Sequence, residues 1–427
     1  MSGSQLRLVV LMFAGAYAFA FFWSFPPHSP DLMASWLAGV FLAEGRPDQV
    51  YAPLEEWFRM YPPGAWRPYM AEHYGYEGAI YPFLYPPLWA RLGALLAEVN
   101  FWRVAAVALA VNTGLLLATV WLAWRACRPA MNPLLFMGLG IFFLGATHLG
   151  TIALLENQPQ ILASFLLVLA AERLRHAAPA TAGGALALAA ALKLYPALLA
   201  LLWLAGRRYR AFVWFLAIGA GLALASIAWA GWPLHTAFIA QLRQISASVL
   251  VTGITFNLDA TLAQLFFSDS LQWTAGLEPP TPAVPRPGWY TMARPPLWQL
   301  GAALALLAAM LWLARLFARA GRDIQVALLW PLALTVIPLL SPISWVYYYI
   351  PTACFAPVLI ERLGTWRGGL FLLVGFGLLF GPFIRFYRDW GGGPGVLPFI
   401  YQLLGTLAIA ILATGFLLAA RRTMRPG

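Results

Sequence analysis

Apolar runs of membrane length punctuate the chain from Leu6 to Ala420, and this pattern constrains the fold more than any motif. Crossing a hydrocarbon core of about 30 Å as a helix takes about 20 predominantly apolar residues. Inside hydrocarbon each backbone N–H and C=O must be paired within the segment, so such runs fold as helices. They fall at Leu6–Trp23, Trp102–Trp124, Pro133–Leu155, Pro159–Ala171, Ala182–Gly206, Ala211–Ala230, Leu297–Phe317, Ile324–Leu340, Val346–Ile360, Gly368–Ile384 and Leu397–Ala420. Only 10% of residues are charged and 61% are hydrophobic, whereas soluble domains carry about 25% charge. An all-α polytopic membrane protein is expected, forming one integral-membrane domain over residues 1–427. The small-residue stretch Ala16–Ala20 continues into Phe21 and Phe22, so the first run reads as an uncleaved anchor.

The net charge of +11 resembles a nucleic-acid signal until its location is read. With the N-terminus inside, the inner loops collect sixteen arginines, from Arg7 to Arg425, against three acids, Glu172, Asp323 and Glu361. The outer side holds ten arginines and thirteen acids. That asymmetry is the positive-inside pattern, which predicts cytoplasmic termini, a multi-pass location in the inner membrane and no nucleic-acid partner. Segments 25–101 and 231–296 become long outer loops on the active-site side.

One run breaks the alternation. Arg175 precedes Ala182–Gly206 and Arg207 follows it, so both ends belong inside. Its length suits two half-crossings, and Pro196 lies at its middle. The expectation is a re-entrant hairpin turning at Lys193–Pro196, tolerated only where protein or a cavity surrounds it. The architecture is then about ten full spans plus this hairpin.

Lys193 is the only lysine among 27 basic residues. At bilayer depth a lysine costs roughly 2.5–3.5 kcal/mol on insertion scales, so it needs an anion or water. A phosphate site is one reading and a structural ion pair the other.

The first outer loop carries eight of the sixteen acidic residues: Asp31, Glu44, Asp48, Glu55, Glu56, Glu72, Glu77 and Glu98. Ser29 can cap a helix, Pro30 fits its first position, and Asp31 falls in its first turn. Met33, Trp36, Leu37, Val40 and Phe41 share one face of that helix; Asp31, Ser35 and Ala38 occupy the other. A second amphipathic stretch starts near Pro87. Both read as interfacial helices. Asp31 is the leading candidate base, with a helix-dipole role of about 0.3–1 kcal/mol as the alternative.

Glu156, Asn157, Gln158 and Gln160 sit at the outer mouth of a span, where amides bind hydroxyls or cap helices. Ser341–Trp345 and the tyrosines after it mark an outer break between spans. Asn257 and Asp259 stand in the second outer loop. Cys127 and Cys354 lie in apolar runs and form no disulfide framework. No Asp-x-Asp pair or His/Cys cluster has metal-ligand spacing, so no metal and no cofactor are expected.

These residues together resemble the polyprenyl-phosphate-sugar-dependent GT-C glycosyltransferases, specifically the glycosyltransferase family 87 group, which includes bacterial alpha-1,2-mannosyltransferases. The likeness rests on the early Asp31, on Gln158 opening a span, on Lys193 and Pro196 of the hairpin, and on Ser341–Trp345. It runs over most of the chain. The family often has histidine shortly after that tryptophan, where this chain has Val346, Tyr347 and Tyr348. The resemblance implies a GT-C helix bundle and a metal-independent inverting hexosyltransferase. Its donor would be a polyprenyl-phosphate sugar, mannose foremost, and its acceptor a lipid or glycan. Asp31 would be the catalytic base and Lys193 the phosphate contact. Gln158, Asn257, Ser344, Trp345 and Tyr348 would be further substrate contacts. A transporter or flippase of an anionic or lipid-linked substrate is the alternative, since a broken hairpin with a buried charge serves that class too.

Overall fold

A computed structural model describes residues 2–280, 287–381 and 400–424. The last residues of the expected run Gly368–Ile384, the first of Leu397–Ala420, and Arg425 lie outside the described residues. Among the described residues the apolar runs are helical apart from short breaks. In chain order the helices are α1 (Gly3–Trp23), α2 (Pro30–Ala43), α3 (Trp66–Tyr74), α4 (Pro87–Ala94), α5 (Phe101–Cys127), α6 (Pro133–Ala146), α7 (His148–Leu155) and α8 (Gln160–Arg175). Then come α9 (Pro179–Leu192), α10 (Pro196–Ala205), α11 (Tyr209–Ala230), α12 (Trp232–Ser246), α13 (Leu258–Phe266) and α14 (Pro296–Arg319). The chain closes with α15 (Arg322–Leu339), α16 (Ile350–Phe355), α17 (Val358–Leu363), α18 (Thr365–Leu378) and α19 (Ile400–Met424).

Among the described residues, α1, α5, α11, α14, α15 and α19 are long and apolar enough to cross a bilayer. On α1, α11 and α14 the large side chains face outward; Leu11, Phe22, Leu224 and Leu297 are mostly exposed. Helices with apolar exteriors need hydrocarbon around them, so this is a multi-pass membrane protein.

Local chemistry sets most boundaries. Asn100 and Asn132 cap α5 and α6 through their side-chain oxygens. Thr147, extended at φ −120°, splits the expected single run Pro133–Leu155 into α6 and α7 and caps the second. The run after Trp345 likewise forms short pieces, with Pro351 and Pro357 at their starts.

The α9–α10 pair breaks where the sequence predicts. Lys193 is extended (φ −143°, ψ 137°), and Pro196 opens α10. Both ends of the pair are fastened to one stretch of α15: Arg175, before α9, pairs with Asp323, and Arg208 Nε, after α10, donates to Gln325 Oε1 at 2.8 Å.

Two findings depart from expectation. First, α2 is not an interfacial helix: Met33–Leu42 are buried on every side. Beyond Asp31 its supposed polar face holds small residues, Ser35, Ala38 and Gly39, and these let α4 approach to backbone contact. A Cβ on Gly39 would lie 2.2 Å from the Gly93 carbonyl carbon. Ser29 does not cap α2 with its side chain either; it takes φ 58°, and its Oγ accepts from Asn157 Nδ2 at 2.8 Å. Second, the segment after α12 contains a small antiparallel sheet, β1 (Ser248–Val251), β2 (Gln272–Ala275) and β3 (Gly288–Ala293), in the order β1-β3-β2. Buried Asp259 ties α13 to this sheet through Arg294 and accepts from Trp298 Nε1 at 2.8 Å.

Segments 25–101 and 231–296 are tied into one body. Trp57 Nε1 donates to Thr291 Oγ1 at 3.1 Å, Phe58 N to Ser248 Oγ at 2.8 Å, and Tyr61 Oη to the Ala275 carbonyl at 3.1 Å. This body roofs the helix bundle and encloses the site.

Candidate functional site

A cavity of about 490 Å³ lies beneath the joined loops, lined by Asp31, Gln158, Lys193, Trp289, Trp345 and Tyr348 among others. Its wall is chiefly apolar and aromatic, with a few converging polar groups, the usual make-up of a small-molecule site.

The turn between α7 and α8 builds one side. Asn157 is left-handed at φ 47°. Its side chain donates to Ser29 Oγ and to the Ala105 carbonyl, each at 2.8 Å, and its Oδ1 accepts from Asn112 Nδ2 at 2.9 Å. Ser29 N donates in turn to the Leu155 carbonyl at 2.9 Å. Two non-glycine residues at positive φ thus hold each other, a costly arrangement kept where position matters. It aims Gln158 at the first turn of α2. Gln158 Nε2 donates to Asp31 Oδ2, and Tyr85 Oη donates to Gln158 Oε1 at 2.7 Å. The amide therefore has no freedom to flip, and its N–H points at the carboxylate.

Burial raises Asp31 above the usual carboxylate range, to about 6. The positive charge of Lys193 and hydrogen bonds from Gln158 and Tyr347 work the other way and favour the anion. At neutral pH the group is an ionised carboxylate in a partly dry pocket.

The hairpin tip forms the opposite wall. Lys193 Nζ donates to Tyr348 Oη at 3.3 Å and lies over the rings of Tyr348, Tyr85 and Tyr347 at 4.4, 5.5 and 5.5 Å from their centroids. Ring faces stabilise a cation without neutralising it. The ammonium's closest carboxylate influence is Asp31, so it retains donors for an incoming anion. Tyr195 is steadied by Gln160 Nε2 at 2.9 Å. Ser341–Trp345 is strapped to the segment between β1 and α13 by Val346 N, which donates to the Ile254 carbonyl at 2.8 Å.

Residues 83–342 match the model of glycosyltransferase family 87. The chain belongs to glycosyltransferase family 87. No curated protein matches it. The family 87 match covers Tyr85, Gln158, Lys193 and Ser341, and the cavity adds Asp31, Trp345, Tyr347 and Tyr348 from beyond its ends. This chain is therefore a membrane glycosyltransferase with a sugar donor and an acceptor.

Of the residues expected from the family 87 likeness, Asp31, Gln158, Lys193, Trp345 and Tyr348 meet at the cavity. Asn257 and Ser344 do not line it. Asn257 Oδ1 caps α13 by accepting from Ala260 N at 2.7 Å, and its amide donates to the Pro342 carbonyl at 3.4 Å. Ser344 is fully buried behind the wall against Tyr349, whose Oη donates to the Phe256 carbonyl. Both shape the loops that carry the site. Sequence reasoning gave Tyr85 and Trp289 no role and noted Tyr347 only as standing where the family often has histidine. Among the described residues no cluster of metal-ligating side chains occurs.

Proposed function

We propose that this glycosyltransferase transfers a hexose, mannose foremost, from a polyprenyl-phosphate donor to a lipid or glycan hydroxyl on the outer face of the inner membrane, with inversion. Asp31 is the general base. It takes the proton of the acceptor hydroxyl as that oxygen bonds the anomeric carbon. The carbon–oxygen bond to the phosphate breaks, and the polyprenyl phosphate leaves with the electron pair. Negative charge grows on the leaving phosphate, and Lys193 stabilises it there. Gln158 fixes the base, while Trp289, Trp345 and Tyr348 form a wall for the sugar and the first isoprene units. No metal or cofactor enters this scheme.

The observation that carries the reading is a carboxylate and an ammonium held across one aromatic cavity, each supported by its own hydrogen bonds. Topology supports it further. Ten spans with cytoplasmic termini put Asp31, Gln158 and Trp345 in outer loops, and these three meet. The shared anchoring of Arg175 and Arg208 on α15 fits a re-entrant α9–α10 hairpin in a GT-C bundle. At 1.5 Å per residue, the 14 residues of α9 carry Lys193 about 21 Å inward from that anchor, short of a full crossing. The whole of 1–427 acts as one domain.

The test is transfer of radiolabelled mannose from mannosyl polyprenyl phosphate by purified protein in vesicles containing a membrane lipid extract. Wild type yields labelled product and Asp31→Asn yields almost none while still binding donor. Normal turnover by the Asn variant, or vesicle uptake without product, would overturn the reading.

A further inference from the structure

The cavity contains a second carboxyl group that the scheme above does not use. Glu156 ends α7 beside Asn157 and lines the same cavity as Asp31. The strained turn that aims Gln158 also fixes Glu156. Its carbonyl accepts from Leu32 N at 3.4 Å. One carboxyl oxygen, Oε2, is turned into the wall, buried and without a hydrogen-bond partner, while the rest of the half-buried side chain opens to the cavity. Leaving a buried oxygen unpartnered costs far less in a neutral carboxyl than in a carboxylate.

We propose that Glu156 is a second substrate-contacting group of the active site, whose protonated carboxyl donates a hydrogen bond from its cavity-facing side to a hydroxyl of the bound sugar donor or acceptor. This rests on the glycosyl-transfer reading and adds a residue to it.

Charge balance assigns the two carboxyls different states. Neighbouring carboxylates in a dry pocket do not both ionise. Among the described residues Lys193 is the one basic side chain lining the cavity, against Asp31, Glu156 and Glu278. Asp31 has Lys193, Gln158 and Tyr347 favouring its anion, whereas Glu156 has only a backbone amide. Asp31 therefore carries the charge and Glu156 the proton. Burial and the Asp31 charge both raise Glu156 well above the usual range, in the same direction. Around the pair stand Tyr347 and also Tyr76, Tyr81 and Tyr85, the last three neutral at pH 7 because burial pushes their hydroxyls up. A protonated carboxyl has one O–H to give, and a substrate hydroxyl is the natural acceptor.

The test compares Glu156→Gln and Glu156→Leu in the vesicle assay, with KM measured separately for donor and acceptor across pH. Gln is neutral and keeps an N–H donor at the same reach. Glu156→Gln should stay within a few-fold of wild type and lose any fall in rate that Glu156 ionisation causes at high pH. Glu156→Leu should lose about tenfold in kcat/KM, the scale of one hydrogen bond to a buried group. The KM that rises identifies which substrate bears the hydroxyl. A fully active Leu variant overturns the contact. A Gln variant as inactive as Asp31→Asn, with Glu156→Asp active, overturns the neutral donor and makes Glu156 the base. A second readout needs no turnover: wild type at pH 7 should show an infrared carboxylic-acid band that Glu156→Gln lacks. Wild type inactive with this donor overturns the donor assignment alone, and absence of the band then overturns the role of Glu156.

Discussion

Replacing Gln158 by Met tests how the base is tuned. The thioether keeps the side chain's length and volume but removes the N–H that Gln158 gives to Asp31 Oδ2. A hydrogen bond to a charged group contributes about 1.5–3 kcal/mol. One pKa unit corresponds to about 1.4 kcal/mol, so losing that bond lifts Asp31 by about one to two units. Asp31 starts at about 6 and moves to about 7–8. A base works only when deprotonated, so activity rises with pH through its pKa, and the acid limb of the profile moves up by the same amount. At pH 7 the ionised fraction falls from about nine-tenths to between about a half and a tenth. The expected result is a two- to ninefold loss at pH 7, roughly, that recovers near pH 9. Tyr85 also loses its acceptor, at about 1–3 kcal/mol of stability, so the melt should shift down while the fold survives. The assay is kcat/KM from pH 5 to 9 in vesicles. An acid limb still centred near 6, with activity reduced equally at every pH, would refute the tuning and leave Gln158 a structural brace.

Lys193→Met should fold normally, because a buried charge is removed and the tyrosine cage stays, and it should lose donor turnover by well over tenfold; unchanged turnover would return Lys193 to a structural role. Gly39→Ala should destabilise the protein by about 1–3 kcal/mol in a thermal melt, since the added methyl meets the Gly93 backbone and helices cannot yield there cheaply. Asp259→Leu strands Arg294 in a buried setting and should cost about 3–5 kcal/mol, measured as lost folded yield with no change in the pH profile of what remains. Cys127 and Cys354 are buried, so single cysteines at Gly64 and Ala178 report topology cleanly: an impermeant thiol reagent added outside should label the first and spare the second.

Local physics made part of this protein legible before any fold was known. Apolar run length needs no partner to be read, because the bilayer supplies the environment each helix must satisfy alone. The break at Lys193–Pro196 was legible for the same reason: proline opens a helix, and a charge at depth demands a cavity. Proline at the first position of α2 put Asp31 in its first turn by backbone rules alone. The tertiary structure decided what side chains face. Tyr85, Gln158 and Asp31 are far apart in sequence, and nothing local says that a tyrosine among prolines fixes an amide against a carboxylate. The burial of α2 depended on two glycines, Gly39 and Gly93, meeting across helices. Asn257 and Ser344 have the same polarity whether they face a cavity or its back wall; only packing chose the back wall. Glu156 looked like one more mouth residue until the left-handed turn at Asn157 brought it beside Asp31. Periodicity and hydropathy describe a helix against its solvent, whereas a site is made of rotations and contacts between helices, and those exist only once the chain has packed.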